Sequence, residues 1–157
     1  MRHYEDSLNV SASPEELFAF VDDFRRFSSH MSESSWMMGG GKMDISLDEG
    51  QGKKVGSLVR MGGKSFGIYL SLEEAVTEYD PPRAKAWKTV GRPNLLVIGH
   101  YHMSLVIQRL GDKVSALRVS IDYELPTQNA WLGKRFGQMY AKWCVQQMIQ
   151  GVGKQFT

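Results

Sequence analysis

Residues 101–126, YHMSLVIQRLGDKVSALRVSIDYELP, decide how this chain folds. Apolar and polar residues alternate through them with the period of a strand that buries one face. Tyr101, Met103, Leu105 and Ile107 share a face in the first half, and Leu117, Val119, Ile121 and Tyr123 share one in the second. Gly111-Asp112 lies between the halves and reads as a tight hairpin turn. Pro126 has no amide hydrogen to give to a ladder, so it ends the sheet. The pattern predicts two long antiparallel strands over 95–110 and 113–125.

Past Pro126 the period becomes helical. From Thr127 to about Gln155, the residues Leu132, Phe136, Met139, Tyr140, Trp143, Cys144, Met148 and Val152 make one wide apolar stripe, with Lys134, Arg135, Lys142 and Gln146 largely off it. Upstream of residue 101, shorter strands are expected at 43–47, 55–61, 65–72, 75–79 and 84–90. Gly39-Gly40-Gly41, Asp48-Glu49-Gly50, Gly62-Gly63 and Asp80-Pro81-Pro82 punctuate them. The chain opens on a strand over 4–10, then Ser13-Pro14-Glu15-Glu16 starts a helix. Ser13 can cap it, Pro14 suits its first position, and Glu16 completes a capping box. Leu17, Phe20, Val21 and Phe24 follow at helical spacing. Asp22-Asp23 divides the stretch into two short helices, the second with Phe24 and Phe27.

This order is an α+β arrangement in one domain, residues 1–157. A curved antiparallel sheet of about seven strands has a concave face to bury, and the last helix is the element long enough to fill it. Side chains do not fill the whole arc under such a helix, so an apolar cavity is expected between helix and sheet. Helical spacing assigns Phe136, Met139, Tyr140 and Trp143 to its roof. Strand alternation assigns Met103, Leu105, Leu117, Val119, Ile121 and Tyr123 to its floor. A bulge near Gly99 would reverse that floor and bring in His100, His102 and Ser104.

Composition excludes several classes. Hydrophobic residues are 42% and charged residues 23% of the 157, which is ordinary for a globular domain and unlike a disordered, collagenous or coiled-coil chain. The longest nearly uncharged apolar run, Asn94 to Ile107, holds two histidines and is too short to span a bilayer. The N-terminus lacks a secretory apolar stretch, and a single cysteine precludes an internal disulfide. The expected compartment is the cytoplasm. There the sequon Asn9-Val10-Ser11 goes unused. A net charge of +2 does not argue for nucleic acid. No acidic residue follows Glu124, and the basic residues beyond it read as a solvated helix face.

The stretch SLNVSASPEELFAFVDDFRRF resembles the opening of the START/Bet v 1-like superfamily, also called SRPBCC or polyketide cyclase/dehydrase-like. VGSLVRM, VTEYDPPRAKAW, the hairpin of 101–126 and the tail WLGKRFGQMYAKWCVQQMIQGV resemble it too. The resemblance runs along essentially the whole chain, and its motifs are structural rather than chemical. It implies a helix-grip fold around a hydrophobic pocket. Members include lipid carriers, hormone receptors and aromatase/cyclases, so it implies the fold more closely than the function.

The chemistry-bearing residues declare little. Gly63-Lys64-Ser65 fails as a P-loop because Leu58 stands where a glycine is needed; Gly41-Lys42 and Gly153-Lys154 fail likewise. His100 and His102 share a strand face, but nothing places His3, His30 or a carboxylate beside them, so no metal is expected. They alternate against Tyr101 and Met103 and should face outward or lie at the rim. Cys144, within the apolar stripe and without a histidine near it in sequence, reads as buried and inert. Asp122 and Glu124 read as solvent-facing. Glu73, Glu74 and Glu78 straddle a strand end, and no two acids declare a general acid/base couple. Arg60, Tyr69 and Tyr101 are the better isolated polar groups for a pocket, joined at its edge by His100 and His102. Met103, Met139 and Met148 suit a pocket that adapts to varied apolar guests.

The expected function is binding of a small hydrophobic molecule, a lipid, polyketide or similar, between sheet and C-terminal helix. The alternative is an aromatase/cyclase-like enzyme using the same cavity. The absence of a visible polar cluster favours binding. No cofactor, nucleic acid or integral membrane segment is expected, and the chain should be a monomer or homodimer.

Overall fold

The structure, a computed structural model, describes residues 1–27, 43–65, 67–95, 97–127 and 130–156. The expected bend at 39–41 and His30 lie outside them. The elements run β1 (Arg2–Val10), α1 (Pro14–Val21), α2 (Phe24–Phe27), β2 (Met43–Leu47), β3 (Leu58–Ser65), β4 (Ile68–Asp80), β5 (Ala84–Asn94), β6 (Tyr101–Gly111), β7 (Val114–Tyr123) and α3 (Ala130–Gln155). Among the described residues, seven strands form one antiparallel sheet in the order β1-β7-β6-β5-β4-β3-β2. This is the α+β helix-grip arrangement, with two short helices after the first strand among the described residues and a long helix at the end.

Local chemistry accounts for the elements. The Glu16 amide donates to Ser13 Oγ at 3.2 Å, the Ser13 hydroxyl donates to Glu16 Oε1 at 3.1 Å, and Pro14 opens α1. The β6–β7 hairpin sets Tyr101 opposite Tyr123, Met103 opposite Ile121, Leu105 opposite Val119 and Ile107 opposite Leu117. All eight are buried, whereas Ser104 and Ser120 meet on the other side at 2.7 Å. The sheet bends where the β4–β5 register shifts, between Ser71 and Glu73 and again between Val76 and Glu78.

The structure departs from the sequence expectation in three places. The expected break at Gly62-Gly63 falls inside β3, which runs to Ser65, and residues 68–72 and 75–79 belong to one long strand, β4, because an irregular register bends a strand without ending it. The strand expected from 95 begins at Tyr101. Before it the chain crosses beneath the end of β7: the Gly99 amide donates to Glu124 O at 2.8 Å, and the Glu124 amide donates to His100 O at 2.9 Å. A Cβ on Gly99 would stand 2.8 Å from Leu125 O, so this crossing needs a glycine.

The third departure is the face that α3 buries. Gly133, Gly137, Ala141, Cys144, Val145, Met148, Ile149 and Val152 point inward. The helix lies so close to the 97–98 segment that a Cβ on Gly133 or Gly137 would sit 2.9 Å from Val97 O. Small residues permit that approach, so larger neighbours are turned to the flanks. Phe136 is 37% exposed and Met139 46% exposed.

Candidate functional site

Between the concave face of the sheet and α3 lies a cavity of about 40 Å³. Met61 and Leu72 enter it from β3 and β4, Trp87 from β5, Met103 from β6 and Ile121 from β7. Tyr140, Cys144 and Met148 close it from α3, with Leu95 and Ile98 at one side and Phe24 at another. A volume of this size accepts water-sized guests. A small organic ligand needs the walls to part, and Met61, Met103 and Met148 are side chains that move aside readily.

Glu74 is the charged-type residue in this apolar lining. It stands on the face of β4 that also carries Leu70, Leu72 and Val76, and it is 2% exposed. The Tyr101 hydroxyl donates to Glu74 Oε2. Its other oxygen, Oε1, is buried with no hydrogen-bond partner. Burial pushes the Glu74 carboxyl up to about 7, against the opposing pull of Tyr101, Lys85 and the Trp87 indole. Burial, then the neighbouring carboxylate, push Tyr101 well above its usual range. Burial likewise raises Tyr140, and it lifts the Cys144 thiol to about 12. Thr89, opposite Glu74 on β5, receives the Tyr101 amide on Oγ1 at 3.1 Å and so fixes where β6 begins.

A second polar group lies near the first. Lys85 on β5 is 2% exposed, and its Nζ is 2.9 Å from Asp22 Oδ1. The Tyr79 hydroxyl donates to Asp22 Oδ2 at 2.6 Å. Lys85 also lies 5.8 Å from the Tyr79 ring centre and 6.0 Å from that of Trp87. Burial lowers the Lys85 pKa and Asp22 opposes that shift. Outside Phe24, which lines both spaces, an open polar groove of about 300 Å³ is bounded by Asp23, Leu47, Asp48, Gln51 and Lys53. It is larger than the cavity, but its carboxylates and lysine face solvent.

The residues named from sequence are distributed as follows. Tyr101, Met103, Ile121 and Tyr140 line the cavity. Leu105, Leu117, Val119 and Tyr123 are buried in the solid core rather than at the cavity wall, because the packing closes over them. Phe136 and Met139 are turned outward with the flank of α3, and Trp143 is half-buried with its ring 5.9 Å from that of Tyr140. Arg60 is ion-paired with Glu73 and exposed, and Tyr69 is 60% exposed, so neither enters the cavity. Arg60 alternates with buried Val59 and Met61 on β3, and Tyr69 precedes buried Leu70 on β4, so both side chains lie on the face of the sheet opposite the core. His100 is exposed with its Nδ1 2.9 Å from Thr89 Oγ1, and His102 lies on the outer face with Ser104. Among the described residues, no three His, Cys, Asp or Glu side chains converge as a metal set.

Sequence reasoning missed Glu74, Lys85 and Asp22. A signal for Glu74 was present: Leu70, Leu72, Glu74 and Val76 occupy alternate positions, and one acid interrupts an apolar face.

The sequence matches the family described as "Polyketide cyclase / dehydrase and lipid transport" over residues 1–154. The chain belongs to that family. No curated protein matches it in sequence. Among solved structures, the chain is similar to TTHA0849 from Thermus thermophilus, with TM-score 0.69 and 14% identity over 98% of this chain and 95% of that one. It is similar to truncated norcoclaurine synthase from Thalictrum flavum, with TM-score 0.67 and 15% identity over 98% and 92%. The Zhui aromatase/cyclase from Streptomyces sp. R1128 gives 0.63 and 16% over 98% and 94%. At these identities the likeness establishes the shared fold. Among the described residues, no helix is long and apolar enough to cross a membrane.

Proposed function

We propose that the chain binds a small, largely apolar molecule in the cavity between the sheet and α3, and that Glu74 engages one hydrogen-bond donor on that molecule. The observation that carries this reading is Glu74 Oε1, buried without a partner in an otherwise apolar lining. An unsatisfied buried acceptor costs roughly 1–3 kcal/mol, which a ligand hydroxyl would recover. Three methionines on opposite walls allow the space to open around a ring.

The test compares naphthalene with 2-naphthol, ligands of the same ring with and without a donor. Titration followed by fluorescence should give 2-naphthol about tenfold tighter binding, since one such hydrogen bond is worth about 1.4 kcal/mol. Glu74→Leu should abolish the preference while naphthalene still binds. Failure of both compounds to bind, or equal binding of the two to the natural chain, refutes the reading. Native mass spectrometry of the purified protein, finding a defined apolar molecule retained, would support it independently.

A cyclase/aromatase-like reaction in the same cavity is the second reading. It is favoured by Glu74 itself, because ring closure and aromatisation require a proton to be moved in a dry site, and the carboxyl is held near neutral pKa.

A further inference from the structure

We propose that the polar groove outside α2 is the mouth of the cavity, and that the Phe24 ring is the gate through which a compact neutral molecule passes between them. Among the described residues, Phe24 is the one side chain that lines both spaces. It is 6% exposed. Asp23, Leu47, Asp48, Gln51 and Lys53 bound the groove on its outer side, and the apolar cavity lies on its inner side. That ring thus stands between about 300 Å³ of open groove and about 40 Å³ of cavity. The route is a property of the cavity walls and does not depend on Glu74 engaging the occupant.

The frame around the ring is fixed, which leaves the ring as the part that moves. Two residues before it, Asp22 is held by Lys85 at 2.9 Å and by the Tyr79 hydroxyl at 2.6 Å. Behind it, the Phe27 amide donates to Asp23 O at 2.9 Å, and the Arg26 guanidinium donates to Gln155 Oε1 of α3 at 3.2 Å. Across the groove, Asp48 Oδ1 receives the Ser57 hydroxyl at 2.6 Å and the Gly50 amide at 3.0 Å, and Oδ2 receives the Leu58 amide at 2.8 Å. That carboxylate is committed to its own turn, so the rim is stiff. The Phe24 ring is held by an edge-to-face contact with Trp87, their centres 6.5 Å apart. A change of rotamer breaks that contact and no backbone hydrogen bond. The passage also selects by charge. An ion sheds its water at these two rings, and an anion then meets the Glu74 carboxyl with no cation to balance it, since Lys85 is paired with Asp22.

Cys144 lies on the α3 wall of the cavity and is the chain's single cysteine, so its labelling reports the passage of a small reagent. The probe is methyl methanethiosulfonate, which is compact and uncharged. The Cys144 thiol gives its proton to water, and its sulfur attacks the methylthio sulfur of the probe. The new S–S bond forms as the bond to the sulfonyl sulfur breaks, and methanesulfinate leaves with that electron pair. Mass spectrometry reads the added methylthio group. The charged counterpart is 2-sulfonatoethyl methanethiosulfonate. Each rate is divided by that of the same reagent with the urea-unfolded chain, which removes differences in intrinsic reactivity.

Phe24→Ala should raise labelling by the neutral probe about tenfold or more, and the rate should stay flat in urea below the unfolding transition, because a side-chain gate opens without unfolding. Phe24→Leu should give a smaller rise, and Phe24→Trp should label more slowly than the natural chain. Phe27→Ala is the control, since that ring also packs edge-on against Trp87 at 6.5 Å but lines neither space. It should leave the rate within about twofold of the natural value. The sulfonate reagent should remain slow with every folded variant. Equal acceleration by Phe24→Ala and Phe27→Ala, or rates that climb with urea throughout, would show general loosening and overturn the gate. So would acceleration by Leu95→Ala in place of Phe24→Ala, since Leu95 borders the cavity at another side. Where Phe24→Ala does not fold, the opposite signs of Phe24→Leu and Phe24→Trp decide the matter. Labelling that follows residue 24 while neither naphthalene nor 2-naphthol binds would keep the gate and refute the binding reading alone.

Discussion

Lys85 and Asp22 form a buried ion pair that fastens the helical segment to the sheet. Lys85 Nζ, on β5, meets Asp22 Oδ1, at the end of α1, at 2.9 Å, and Tyr79 from β4 completes the carboxylate's shell at 2.6 Å. Both members are under 10% exposed. Removing one charge leaves the other buried and alone. Asp22→Ala should therefore destabilise the chain by about 3–5 kcal/mol, measured by urea unfolding. An apolar replacement of both, Asp22→Leu with Lys85→Met, should recover most of that loss. A double variant as weak as Asp22→Ala would show that the pair is needed for more than mutual neutralisation.

Glu74 makes stability depend on pH. Its folded pKa is raised from 4.5 to about 7, so between those values the folded chain holds a proton that the unfolded chain has released. Stability must fall as pH rises through that window and level off above it. The contribution is about 3 kcal/mol across the full window. Unfolding measured at about pH 5 and about pH 8 should show this decline in the natural chain and a much smaller one in Glu74→Gln. Equal slopes in the two proteins would mean that Glu74 titrates in the folded state as it does in water.

Two glycines of α3 should respond oppositely to alanine. A Cβ on Gly137 would stand 2.9 Å from Val97 O, a backbone atom tied to the 97–100 crossing. Nothing lies within 4 Å of a Cβ on Gly151. Gly151→Ala should raise stability by about 0.5–1 kcal/mol through helix propensity alone. Gly137→Ala should lose stability despite the same gain, and thermal unfolding of the two variants checks both signs.

Cys144 should be chemically silent while the chain is folded. It is 7% exposed, and burial pushes its thiol up to about 12. The thiolate is the reactive form, so modification by Ellman's reagent at neutral pH should be slow and should accelerate with urea in step with unfolding. Rapid, stoichiometric labelling in native buffer would refute this.

Much of the fold was legible in the residues themselves. The period-two alternation of Tyr101–Ile107 and Leu117–Tyr123 has one physical solution when half of each strand is buried, and the β6–β7 register realises it. Ser13, Pro14 and Glu16 act within one turn of chain, so the start of α1 needs no tertiary information. The buried face of α3 was not legible, because large apolar residues and small ones compete for the same helix. Which set turns inward depends on how near the neighbouring backbone comes. Gly133 and Gly137 win because Val97 O lies against them, and that is a distance between segments far apart in sequence.

The site divides in the same way. Sequence alone determined that an antiparallel sheet and a long amphipathic helix must enclose an apolar interior, since hydrophobic periodicity is a local property of the chain. Only the tertiary structure decided which polar groups share that interior. Glu74, Tyr101, Lys85 and Asp22 come from β4, β6, β5 and the end of α1. No spacing rule links them, and the withdrawal of water that raises the Glu74 pKa exists only once the sheet has curved and α3 has closed over it.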